Sequence, residues 1–62
     1  MENSLIKFFK YQHLPEKLQN ISKPFCELAD WVDKNLPDGA EKTVSLRKLL
    51  ESKDCAVRAG LI

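Results

Sequence analysis

Tyr11 and His13 stand one residue apart, directly ahead of Leu14-Pro15. Proline disfavours helix for the residue before it, so an extended Tyr11-Gln12-His13 is expected, with both rings on one side of the backbone. That pair has a definite chemistry. A tyrosine ring stacks on a nucleobase while its hydroxyl bonds a polar edge, and an imidazole N–H donates to a phosphate. Further on, Ser22-Lys23-Pro24 reads as a helix start, with Ser22 as N-cap and the proline in the first turn. First-turn amides with the Lys23 ammonium beside them suit a phosphodiester. Together these residues outline a nucleotide pocket, although each part of it is common. The plainer reading of the same region is a packed N-terminal arm, in which Phe8, Phe9 and Tyr11 cover the helices or a neighbouring subunit.

Two arginines are the other candidates. Arg47 with Glu51 and Arg58 with Asp54 are i,i+4 pairs on one side of a helix, and as surface ion pairs they are worth a few tenths of a kcal/mol each. Alternatively, Arg47 and Arg58 face a cavity between subunits, where an arginine meets a phosphate. Catalytic arrangements are thin: there is no Ser/His/Asp or Cys/His spacing and no glycine-rich phosphate loop. No catalytic residue, cofactor or metal ligand set is assigned from these residues. Cys26 and Cys55 fall on the two long helices with an axial offset of about 7 Å, which disfavours a disulfide. With His13 as the only imidazole, they read as structural thiols.

These residues have to be positioned by helices. Pro37-Asp38-Gly39 is a turn, because proline fixes φ, Asp bonds local amides and Gly tolerates unusual φ. Before it, Phe25, Leu28, Ala29, Val32 and Leu36 recur with the spacing of one helical face, which predicts a long helix over about 23–35. Upstream, Pro15 to Ile21 reads as a short separate helix over about 15–21; the alternative is one helix from Pro15 kinked at Pro24. After the turn, about 40–59 is free of proline and glycine and rich in helix formers, with Leu46, Leu49, Leu50, Ala56 and Val57 as its apolar stripe. Gly60 is placed to end it. The short link makes the long helices antiparallel neighbours. The expected fold is all-α: a short N-terminal helix followed by a helical hairpin, in a single domain over 1–62.

Length and charge set further bounds. At 62 residues a single core contributes only about 3–5 kcal/mol, so something must supplement it, and assembly into a homo-oligomeric helical bundle is the expected supplement. Trp31, about 100° outside the apolar stripe of its helix, and Lys53, within the stripe of the last helix, both read as subunit contacts. For Trp31 the plainer reading is an exposed aromatic on the hairpin's flank, and for Lys53 a stem snorkelling over apolar surface. No apolar run approaches a membrane span, and the first ten residues, with Glu2, Lys7 and Lys10, do not read as a signal peptide, so a cytoplasmic protein is expected. Ten Lys and Arg against nine Asp and Glu leave a charge of +1, which gives no field for capturing DNA or RNA. Any anionic ligand should be small and held by a few placed groups.

Phe9-Lys10-Tyr11-Gln12-His13-Leu14-Pro15, Ser22-Lys23-Pro24-Phe25, and Leu46 to Asp54 with Ala56-Val57-Arg58 resemble the small phage helical-hairpin proteins grouped with the anti-CBASS cyclic-oligonucleotide sponges, over about residues 8 to 61. The resemblance implies a compact homohexamer that sequesters cyclic dinucleotides, and in some members cyclic trinucleotides, in the cytoplasm of the infected host without cleaving them. It implies that Tyr11 stacks on a base and that Lys23 meets the phosphates; the residues themselves add the helix start at Ser22 as a phosphate site and His13 at the rim. Arg58 is similar to an arginine that faces a separate trinucleotide pocket. The competing expectation is a protein-binding antagonist that anchors on a host enzyme through Trp31 and the aromatic arm.

Overall fold

The computed structural model describes residues 4–62, so Glu2 lies outside the described part. A 3₁₀ helix, Ser4–Phe9, leads through a turn into helix α1, Glu16–Asn35, and a four-residue link joins α1 to helix α2, Ala40–Gly60. The all-helical class and the pair of packed long helices agree with the sequence reading. The division of the first helix does not.

Pro15 starts α1, with φ −55° and ψ 151° and its carbonyl accepting the amides of Leu18 and Gln19 at 2.9 Å each. The helix then runs unbroken through Pro24. The separate helices expected over 15–21 and 23–35 are therefore one element. Proline removes the hydrogen bond to the carbonyl four residues back, here that of Asn20. Asn20 and Pro24 are both exposed, so water can reach that carbonyl. Packing on both sides of the break holds the helix together. Leu18 and Ile21 approach Gly60 of α2, while Phe25, Cys26, Ala29 and Val32 join the core.

The second unexpected element is the 3₁₀ helix at the N-terminus. Its last residue, Phe9, is fully buried and forms the core with Ala29, Val32 and Leu46. Leu5, Ile6, Phe25, Cys26, Leu49 and Leu50 pack around these four. The arm thus supplies the largest core side chain, as the packed-arm reading expected for Phe9. Phe8 is not part of this core, at 52% exposed in the single chain.

The link between the helices is fixed from both sides. Gly39 takes φ 157° with ψ 177°, a region essentially restricted to glycine. Lys42, only 5% exposed, donates from Nζ to the Asp33 carbonyl at 2.7 Å and to Asp38 Oδ1 at 2.9 Å, with the Asp33 carboxylate at 3.4 Å. A cation placed on the last-turn carbonyls complements the negative end of α1. At the far end, Gly60 is the last residue of α2, and a Cβ there would collide with the Ile21 side chain. Gly60 does close the helix, but its φ is not positive; what demands glycine there is the close approach of α1. The result is a rod of 36 × 18 × 15 Å. No helix among the described residues is long and apolar enough to cross a membrane.

Candidate functional site

A groove of about 370 Å³ opens between the N-terminal arm and the second half of α2. The arm and the turn after it contribute Lys7, Phe8, Lys10, His13 and Leu14. Helix α2 contributes Lys53, Asp54, Val57 and Arg58, which at 3–4 residue spacing share one side of the helix.

Lys53 joins the two walls. Its side chain is 12% exposed, and its Nζ donates to the Phe8 backbone carbonyl at 2.9 Å while pairing with Asp54 at 3.1 Å. A lysine in an apolar stripe thus caps the open end of the 3₁₀ helix within its own chain. Within the chain, Lys53 is engaged by the arm and by its neighbour Asp54. The snorkelling alternative is closer, because the stem covers apolar surface while the ammonium reaches a carbonyl at the rim.

His13 is placed by a turn and not by extended chain. The Leu14 amide donates to the Tyr11 carbonyl at 3.0 Å, and Gln19 of α1 donates from Nε2 to the carbonyls of Leu14 at 2.7 Å and Gln12 at 3.3 Å. The predicted extended Tyr11-Gln12-His13 is thereby corrected: the turn divides the pair, bringing His13 to the groove and leaving Tyr11 half-buried outside its lining. Proline's restriction acts only on Leu14, and Gln19 sets the geometry of the residues before it.

Of the other expected ligand residues, Arg58 lines the groove, with Nη2 at 3.2 Å from Cys55 Sγ. Ser22, Lys23 and Arg47 do not. Ser22 lies inside α1, fully buried, with no hydrogen-bond partner for Oγ among the described residues. Because the helix continues through Ser22 and Lys23, their amides are committed to it and no anion site exists there. Lys23 and Arg47 are exposed on the surfaces of α1 and α2, away from the groove. The expected Arg47–Glu51 and Asp54–Arg58 pairs give way to Lys48–Glu51 at 3.8 Å and Lys53–Asp54 at 3.1 Å.

Among the lining residues, Lys7, Phe8 and Lys10 were not anticipated from sequence as ligand contacts, and Gln19, outside the lining, was not anticipated as holding the turn. Lys7 and Lys10 bring positive charge to the groove, Phe8 brings an aromatic face, and Gln19 holds the turn. The Lys7 ammonium sits 5.2 Å from the centre of the Phe8 ring, a cation–π contact that orients both. The available signal was the alternation of cations and aromatics in Lys7-Phe8-Phe9-Lys10-Tyr11, a pattern suited to anionic aromatic ligands.

The electrostatics follow from this placement. Lys53 and Asp54 compensate each other, which leaves Lys7, Lys10 and Arg58 as groove cations with no ion pair among the described residues, in a chain of net charge +1. The site can hold an anion through arginine and lysine while a planar group lies on Phe8. Cys26 packs against the core, where burial, then the Asp30 and Glu27 carboxylates, push its thiol above the ordinary value, against the opposing charge of Lys53. Cys26 and Cys55 are both free thiols. No protein-family model, curated protein or solved structure matches the chain.

Proposed function

We propose that this protein is a non-catalytic phage anti-defence sponge. It binds cyclic oligonucleotide second messengers, cyclic dinucleotides such as cyclic GMP-AMP and also cyclic trinucleotides, and withholds them from CBASS-type effectors in the infected host's cytoplasm. The resemblance of residues 8 to 61 to the sponge family is one support. The structural observation that carries the reading is the exposed Phe8 ring set among Lys7, Lys10, His13 and Arg58 in one groove. An aromatic face beside several cations suits a nucleobase joined to a phosphodiester, and stacking contributes about 1–3 kcal/mol per base.

In this reading the base lies on Phe8, and Arg58 and Lys10 receive the phosphate. His13 donates at the rim. No bond is made or broken, and affinity comes from a ligand and a groove that are both preorganised. The working form is a homo-oligomer, with a hexamer as the expected size.

Recovery of the ligand tests sequestration against cleavage. The protein is incubated with each cyclic di- and trinucleotide, washed free of unbound ligand, and heat-denatured. The expected result is release of intact ligand in fixed proportion to protein. Failure to retain any member of the panel, or release of linear products, contradicts the reading.

A further inference from the structure

Among the described residues, Asp54 is the one acid in the lining of the groove, and a phosphate has no use for it. A carboxylate only accepts hydrogen bonds, so it repels an anion placed beside it. Its position is nevertheless fixed. Lys53 donates from Nζ to the Phe8 carbonyl at 2.9 Å and pairs with Asp54 Oδ1 at 3.1 Å. One ammonium thus ties the carboxylate to the backbone of the residue whose ring is exposed. Arg58, four residues further along the same side of α2, forms no ion pair with Asp54. The α2 wall therefore presents two unlike groups one turn apart, a donor fork suited to phosphate and a carboxylate that is not. The Lys53 bond occupies one oxygen of that carboxylate, whose two oxygens together offer about four acceptor sites. Capacity is left, and the side chain is 48% exposed, so a ligand can reach it.

We infer that Asp54 reads the edge of the stacked base and selects guanine. The inference rests on the function proposed above, in which a base lies on Phe8. Guanine carries two adjacent donors on its pairing edge, the ring N1–H and the exocyclic N2–H, and a carboxylate accepts both side by side, as it does from the fork of an arginine. Adenine sets a ring-nitrogen lone pair beside its amino group, so the carboxylate meets one donor and one repelling acceptor. Cytosine has the same defect, and uracil flanks its single N–H with two carbonyls. Discrimination comes from repulsion as well as from a lost bond. Lys53 is a positioning residue here, because it keeps the carboxylate and the Phe8 backbone together.

Isothermal titration with cyclic di-GMP, cyclic GMP-AMP, cyclic di-AMP and cyclic di-UMP, on the wild type and on Asp54→Asn, tests the inference. The wild type should bind cyclic di-GMP about tenfold or more tighter than cyclic di-AMP, with cyclic GMP-AMP between them. An amide offers one donor and one acceptor, the complement of adenine's edge. Asp54→Asn should therefore bind cyclic di-AMP at least as tightly as cyclic di-GMP. A role for Asp54 confined to holding Lys53 would weaken all four ligands alike and leave their order unchanged, and that result overturns the inference. Equal affinity of the wild type for the four ligands also overturns it, while leaving the proposed function standing. Binding of none of them overturns both.

Discussion

Ser22 shows how a residue type can suggest one role and its surroundings assign another. Its hydroxyl is enclosed inside α1 without a partner among the described residues, where an N-cap hydroxyl would have met free amides. Removing an orphaned buried hydroxyl spares its desolvation cost, so Ser22→Ala should keep or raise stability by about 1 kcal/mol in urea unfolding. Ligand affinity should not change; a loss of affinity would return the site to Ser22-Lys23. Asp38 and Lys42 give a pH signature. The hydrogen bond from Lys42, followed by its charge, holds the Asp38 carboxyl below its ordinary value, and the hydrogen bond to Asp38, against the cost of burial, raises Lys42 above its own. The Asp38 contribution to stability is therefore present above the ordinary value of 3.8 and lost as pH falls through the lowered one. The Lys42 contribution is complete below 10.5 and lost as pH rises through the raised value. Asp38→Asn should flatten the acid limb of a stability-against-pH curve, and an unchanged limb would show that the pair does not couple to folding. Among the ligand candidates, the structure brings His13 and Arg58 to the groove walls. Tyr11 and Lys23 fall outside its lining, because their surroundings depend on Gln19 and on packing around Pro24, which spacing does not report.

At the scale of elements, the two α1 segments were separated by applying a local rule where tertiary contacts decide. Pro24 costs a hydrogen bond within a helix anchored on both sides of it. Pro24→Ala should restore the bond to Asn20 and raise stability by about 2 kcal/mol after the looser unfolded chain is allowed for. A decrease would mean that the proline is required where it stands. The turn at Pro37-Asp38-Gly39 and the bounds of α2 were readable because both rest on local chemistry, namely φ preferences and an unbroken run of helix formers. The 3₁₀ helix was not, since it depends on Phe9 entering the core and on Lys53, 45 residues away, capping the Phe8 carbonyl.

For the whole molecule, a near-neutral chain collects cations at one place. The arm that completes the core with Phe9 also turns Phe8, Lys7 and Lys10 to the groove, so folding of the arm and assembly of the site are one event. The groove is made by two walls, the arm and α2, that meet only in three dimensions, and sequence spacing separated them. The proposed function has cyclic oligonucleotides bind in this groove. Isothermal titration of the protein and of Arg58→Ala and Phe8→Ala against cyclic di- and trinucleotides tests it directly. The expected result is saturable binding by the wild type, weakened about tenfold or more in each variant. Absence of heat with every ligand, or full affinity retained in both variants, would contradict the account.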